Sequence, residues 1–398
     1  MSAYITEFPL PEEQLAFAAG HAGDDPARLR LKYGREYSAA ITQIECRRRF
    51  GKKLGGFISA GLEFPSLLAA EQASDEKVAD YNAHILIDRP DPCALDLTAG
   101  LGIDSMSAAR MGAKVLALEL DAEKAACLRG NVARIVPGMM DVVNADCLEW
   151  LSANTRRFDA LFVDPARRGE GGGRLYRMED CQPDIVTNWK LLAGAAPRIV
   201  VKASPMLDIH SVARSLPGLM ELHIVVCHGE CKEVLAVCDG ERTALTDDNE
   251  IDVICADLDN GSRFATTLLM CGGNSYSYAG ADDVMIGSWL YEPNAALMKA
   301  APWSILMCRY PGLKKIGPST HLFVSDEEIT DFPGRRWKIR GFVKSQELKK
   351  LKGKRCNVVC RNHPLSAAQL ERKAGVIPGD DAWLIGFRLG STPVIVES

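Results

Sequence analysis

The sequence predicts an α/β protein built on a doubly wound, Rossmann-like, largely parallel sheet. Three observations carry that reading. From about residue 76 to residue 240, apolar runs of strand length alternate with helical patterns, as crossover connections require. The run "ALFV" before Asp164 is apolar throughout, as a buried strand would be. Several of these runs end in a carboxylate, at the edge of the sheet where such folds bind ligands.

The elements follow in order. Residues 1–75 carry helical patterns such as "PEEQLAFAAGHAG" and "SAAITQIECRRRFGKKL", with no strand alternation, and are expected to form a helical domain. "CALDLT" (93–98) is the first strand. "IDSMSAARMG" is a helix closed by Gly112. "KVLALEL", "MMDVVNAD" and "FDALFVD" are strands, separated by the helices "DAEKAACLRGNVARI" and "CLEWLSAN". A helix around 186–195 leads to the strand "PRIVVKASP". "LHIVVCHGE" and "KEVLAVCDG" are close enough to form a hairpin, expected to add an antiparallel edge strand. "IDVICADLDNGSRFATTLLM" (251–270) extends this domain or leaves it; the pattern does not decide. "SWLYEPNAALMKAA" opens a third region at about 281. The chain turns basic near 331 and ends in a hairpin, "DAWLIGFRLGSTPVIVES".

Composition narrows the function. The net charge of −5 excludes a uniformly basic nucleic-acid binder, but the distribution is uneven. Residues 335–361 hold eleven Lys/Arg against one acid, and residues 28–53 hold nine against two. With one acid in reach, the first of these runs is expected to stay unpaired until a polyanion arrives. Trp337 and Phe342, interleaved in it, are expected to stack on unpaired bases. No apolar run approaches the roughly 20 residues of a membrane span. Thirteen cysteines, an odd number set mostly in apolar runs, read as reduced core residues of a cytoplasmic protein. The groups Cys356/Cys360/His363 and Cys227/His228/Cys231 are assigned to packing, since zinc sites show tighter paired spacings; no metal is expected. The oligomeric state is not legible.

The chemistry lies at the strand ends. Asp96 closes the first strand, and Gly100 and Gly102 follow in a turn where backbone can approach a ligand. Glu119 closes the second strand, placed to accept both hydroxyls of a ribose. Asp121 is assigned the role of helix N-cap. Asp146 closes the third strand, as a helix cap or as acceptor for an adenine amine. Asp164 closes the fourth, locked to Pro165. A dinucleotide site needs a third glycine where Ser105 stands, and no phosphate-cradling G-x-x-x-x-G-K-[ST] is present. An adenosine ligand carrying a cation rather than phosphates suits this acid-rich rim: S-adenosylmethionine.

The order "DLTAGLGID", "ALEL", "FVDPAR" resembles the class I S-adenosylmethionine-dependent methyltransferases. Together with "EQASDEKVADYNA" (71–83), "VKASPMLDI" (201–209) and "LYEPNAALMKA" (290–300), it resembles bacterial RNA methyltransferases with a C-terminal THUMP-like domain. The resemblance implies a methyltransferase domain over 76–280, a ferredoxin-like segment over 281–330 and an RNA-binding, THUMP-like domain over 331–398. It implies that Asp96, Thr98, Gly100, Gly102, Asp104, Glu119 and Asp146 bind the cofactor, and that Asp164, Pro165 and Arg167 form the catalytic turn. Lys202 and Ser204 would line the acceptor pocket, and Arg335, Arg336, Trp337, Lys338 and Arg340 would hold RNA, tRNA or rRNA.

In such enzymes the Asp side chain and the adjoining backbone carbonyl align an acceptor amine. Here Ala166 replaces the second proline of the motif and Arg167 its stacking aromatic, which leaves Tyr176 and Trp189 as further stacking candidates. A related branch methylates carbon-5 of uracil through a cysteine after the fifth strand; this chain has Ala203-Ser204 there, which favours an exocyclic amine. DNA or a small molecule as acceptor, and an RNA-binding protein whose methyltransferase domain is inactive, are the competing readings. Ala166 favours the last.

Overall fold

The computed structural model describes residues 8–167, 177–272, 276 and 278–398. The chain divides into two compact units, Met1–Cys227 with Lys232–Ile251, and His228–Cys231 with Asp252–Ser398. Among the described residues no helix is long and apolar enough to cross a membrane.

Among the described residues the first unit opens with six helices: α1 (Glu12–Gly20), α2 (Pro26–Tyr33), α3 (Ser38–Phe50), α4 (Gly55–Ser59), α5 (Leu67–Gln72) and α6 (Glu76–Leu86). Their starts are set by side chains that cap the first free N–H groups. Asp25 caps α2, with Pro26 in its first turn; Ser66 caps α5 and Asp75 caps α6. Ala40, Ile41 and Ile44 of α3 bury against Ala18 and Leu29. The helices are tied to the sheet's own layer by Glu63, which accepts from Leu10 N and pairs with Arg134 at 2.5 Å.

Seven strands of the main sheet follow among the described residues: β1 (Cys93–Asp96), β2 (Lys114–Glu119), β3 (Met140–Asn144), β4 (Ala160–Val163), β5 (Arg198–Ala203), β6 (Leu219–Cys227) and β7 (Glu230–Asp239). Between them stand α7 (Ile103–Arg110), α8 (Ala122–Ile135), α9 (Cys147–Ala153), α10 (Trp189–Ala195) and α11 (Ile209–Ser215). The spatial order is β6-β7-β5-β4-β1-β2-β3. The pairs β1–β2, β2–β3, β1–β4 and β4–β5 are parallel, and β5–β7 is antiparallel. The order reverses between β1 and β4, so a crevice opens there at the carboxyl ends of the strands.

The hairpin differs from expectation. Its antiparallel strand does not sit at an edge: β7 pairs directly with β5, and β6 lies beyond it. The reason is burial on both faces. Val234–Cys238 is buried without interruption, which an edge position could not provide.

The second unit begins with a hairpin of β8 (Asp252–Asp257) and β9 (Ser262–Thr267). Next come β10 (Trp289–Pro293), α12 (Ala295–Ala300), α13 (Trp303–Arg309), β11 (Lys314–Lys315), β12 (Phe323–Ser325) and β13 (Gly334–Lys338), whose sheet order is β11-β12-β10-β13. A further sheet, ordered β14-β17-β16-β15, comprises β14 (Gly341–Phe342), β15 (Asn357–Arg361), β16 (Trp383–Leu389) and β17 (Thr392–Glu397), with α14 (Ala367–Ala374) between β15 and β16. The β16–β17 pair is the expected terminal hairpin, closed at Leu389↔Thr392. The two sheets share one core, in which Leu290, Trp337 and Ile339 meet Val359, Ile385, Phe387 and Val396.

Candidate active site and basic face

The loop after β1 is shaped by its own carboxylate. Asp96 is buried; it accepts from Thr98 N at 2.9 Å and from Ser105 Oγ at 2.5 Å, which folds the loop onto the start of α7. Burial, aided by Asp104 and Asp164, outweighs those bonds and pushes its carboxyl up to about 7. Both glycines have positive φ, +56° and +78°. A Cβ at Gly102 would overlap Leu128 of α8, so that glycine permits packing. A Cβ at Gly100 would meet nothing, so that glycine borders open space.

Glu119, at the end of β2, faces this loop. Its Oε2 accepts from Gly100 N and its Oε1 from Asp121 N, both at 2.8 Å. An ionised carboxylate offers about four acceptor positions, so these two bonds leave room for two more. Asp121 caps α8, as the sequence predicts, through Glu123 N and Lys124 N. Asp146 caps α9 through Leu148 N and Glu149 N, both onto Oδ1.

Across the switch point, Asp164 N donates to Thr98 Oγ1 at 2.7 Å, so the turn after β4 and the loop after β1 are bonded to each other. Pro165 is half-buried and Ala166 exposed. The backbone of Ala166–Arg167 pairs with Cys181–Gln182. Arg167's side chain and Tyr176 lie outside the described residues. Trp189 is buried on α10, so it is not available to stack on a base. Ser204 Oγ accepts from Met206 N at 3.3 Å, within the turn that leaves β5.

Lys202, on β5, is the centre of a polar cluster. Its Nζ donates to Asp164 Oδ2 at 2.7 Å and to Ser74 Oγ at 3.0 Å, and lies 3.9 Å from both Asp104 Oδ2 and Glu233 Oε2. Asp104 in turn accepts from Ser74 Oγ at 2.5 Å and from Asn82 Nδ2 at 2.8 Å. Burial works against the ammonium, but Asp164, Asp104 and Glu233 outweigh it and raise the lysine above its usual range. Burial pushes Glu233 up to about 8; Lys202 opposes the shift, and Asp104 and Asp164 add to it. Three of these residues escape motif reading. Ser74 and Asn82 stand in the quoted "EQASDEKVADYNA", and Glu233 is the lone acid entering the apolar run "VLAVC".

The second unit carries the basic face. Arg335, Arg336, Lys338 and Arg340 are exposed, but Trp337 is not. It is 5% exposed and packs on Trp383, ring centres 5.6 Å apart, so the expectation that it stacks on bases is corrected. Strand alternation explains this: beside Leu290 in the register, Trp337 faces the core. Phe342 is exposed. The expectation of an unpaired cation run is corrected too. Arg336, Lys354, Arg355 and Arg361 pair with Glu328, Glu397, Asp381 and Glu292, acids outside the basic run, and Lys350 pairs with Glu347. Among the described residues Arg335, Lys338, Arg340, Lys344, Lys349 and Lys352 enter no ion pair. A groove of about 690 Å³ is lined by Arg335, Lys338 and Arg340, by Trp289 and Trp383, and by the acids Asp380 and Asp381. Lys338 Nζ lies 5.6 Å from the Trp289 ring centre. Cys356 belongs to the core and Cys360 packs against it.

A ferredoxin-like domain family matches residues 289–333. The chain is similar to a solved structure from Porphyromonas gingivalis W83, described as a "putative methyltransferase", at 29% identity and a TM-score of 0.82, over 97% of this chain and 98% of that one. A "putative class I s-adenosylmethionine-dependent methyltransferase" from Listeria monocytogenes is 10% identical over 62% of this chain and 93% of that one, at a TM-score of 0.39. A "putative RNA methyltransferase" from Pyrococcus horikoshii is 20% identical over 34% and 58%, at 0.25. At TM-scores this low, neither of those two bears on the chemistry of this chain. No curated protein matches the sequence.

Proposed function

We propose that the protein is an S-adenosylmethionine-dependent methyltransferase whose acceptor is an exocyclic amine of a base in RNA. One observation carries the reading: Asp164, the acid of the D-P-A-R turn, is hydrogen-bonded through its backbone to the glycine loop at the switch point of the sheet. The likeness to the Porphyromonas protein along nearly the whole chain supports it. The residues fit the cofactor. Gly100 borders open space, and Glu119 has acceptor positions to spare for two ribose hydroxyls. Asp146 is the remaining candidate for the adenine, through the oxygen not engaged in capping.

S-adenosylmethionine, held there, would supply an electrophilic methyl carbon on a sulfonium whose C–S electron pair stays on sulfur as the acceptor nitrogen takes the methyl group, the nitrogen's proton passing to solvent. The chain's part is positioning. Asp164 and the adjoining backbone carbonyl accept the amine's N–H groups and aim its lone pair, an orientation effect worth roughly several kcal/mol. Pro165 holds the turn by fixing its own φ. In the second unit, residues 331–398 supply a THUMP-like RNA-binding surface, their first strand β13 paired to β10 of the preceding sheet. Arg335, Lys338 and Arg340 take phosphates, and Trp289, Trp383 and Phe342 take the stacking role first given to Trp337.

The test is nucleoside mass spectrometry of bulk RNA from wild-type and deletion strains, with mass spectrometry of the purified protein for bound S-adenosylmethionine. One methylated nucleoside missing from the deletion strain supports the reading. Identical nucleosides with cofactor bound point to a different acceptor; no cofactor points to an RNA-binding protein that is not an enzyme.

A further inference from the structure

We infer that Lys202 is a positioning residue, which pins the Asp164 carboxylate through Oδ2 and leaves Oδ1 for the acceptor amine. This rests on the methyltransferase reading above and assigns Lys202 a different place from the acceptor pocket. The Lys202 side chain is 13% exposed and that of Asp164 is 41% exposed, so the ammonium lies beneath the carboxylate and the carboxylate faces the crevice. A carboxylate at an exposed turn turns freely about its side-chain bonds, and an acceptor aligned by it would share that freedom. Lys202 removes it. Its own Nζ is held in turn by Ser74 Oγ, which is anchored by donating to Asp104, and Asp104 is fixed by Asn82. Asp164 itself and Asp104, 3.9 Å away, keep the buried lysine charged. Ser74 and Asn82 come from α6 and the residue pair that leads into it, so the helical segment before the sheet is part of the site's support.

The experiment compares wild type with Lys202→Met, Lys202→Arg and Ser74→Ala in the full chain. Turnover is measured on RNA from the deletion strain, S-adenosylmethionine affinity by calorimetry, and folding by thermal melting. Lys202→Met should lose about 100-fold in kcat while KM for RNA and the cofactor Kd stay within about 3-fold, as expected when only orientation is lost. Lys202→Arg, which keeps a charge beneath Asp164, should recover part of that loss. Ser74→Ala removes no charge and should lose about 10-fold in kcat with an unchanged melt; it carries the test if Lys202→Met does not fold. Wild-type kcat in both Lys202→Met and Ser74→Ala overturns the inference, as does a loss confined to cofactor affinity or to melting. A wild-type protein that never methylates this RNA overturns the underlying reading instead, before any variant is compared.

Discussion

The two units handle charge in opposite ways. In the first, acids and a lysine are buried together beneath the carboxyl edge of the sheet, each held by named neighbours: Asp96 by Thr98 and Ser105, Asp104 by Ser74 and Asn82, Lys202 by Asp164 and Ser74. In the second, cations stand on the surface, some paired across the sequence and others unpaired. Buried charges are strongly coupled and each has a fixed place, so single substitutions should matter. Exposed cations act as a sum, screened by salt, so single substitutions should matter little.

The sharpest break of that contrast comes from Asp164→Ala. It should reduce methyl transfer by about 1,000-fold or more while cofactor affinity stays within about 3-fold, since Asp164 addresses the acceptor. Lys202 keeps Asp104 as a counter-ion, so the fold should survive. Normal turnover on the true substrate would remove Asp164 from the chemistry. Glu119→Ala comes next. It withdraws the acceptor of Gly100 N in the loop and of Asp121 N before α8, and the proposed partner of the ribose, which should weaken S-adenosylmethionine binding by about 1–3 kcal/mol in calorimetry. Unchanged affinity would take Glu119 out of the cofactor site.

The third prediction concerns pH. Glu233 is raised to about 8 from an unfolded value of 4.5, so between those values the folded state keeps a proton that the unfolded state releases. Its contribution therefore falls as pH rises through that window, by up to about 1.4 kcal/mol per pH unit. Glu233→Gln removes this slope, so its stability relative to wild type, measured by chemical denaturation, should grow from pH 5 to pH 8. Parallel pH curves for the two proteins would contradict the buried, protonated acid. The smallest effect per residue belongs to the basic face. Replacing Arg335, Lys338 and Arg340 together by Ala should flatten the slope of log affinity for single-stranded RNA against log salt by about 2. Cofactor binding should be untouched. An unchanged slope would mean these cations meet no phosphate.

The contrast also explains what could be read without coordinates. Strands and helices of the first unit were legible because their apolar runs and capping residues are local, and Asp121 is a case where type and place sufficed. The carboxylates at the strand ends were legible as a row, but not the partner each one takes. Lys202 beneath Asp164, and Ser74 128 positions away in sequence, meet only through the fold. The position of β7 was hidden because a hairpin's sequence does not say which strand it joins; its doubly buried run was the overlooked signal. On the basic face the alternation of Arg336, Trp337 and Lys338 was legible, but which side faced the core depended on the pairing with Leu290. The acids that neutralise part of that face were invisible because they come from Glu292, Glu328, Asp381 and Glu397.

The bond from Asp164 N to Thr98 Oγ1 has a thermodynamic consequence. It joins the loop proposed to hold the methyl donor to the turn proposed to hold the acceptor, with no residue between them. The two binding events then share a mechanical element, and their free energies are linked. Whatever factor the donor imposes on acceptor affinity through this joint, the acceptor returns to the donor unchanged. On the proposed reading, the donor and acceptor sites are coupled through this bond and through the backbone pairing of β1 with β4 beside it.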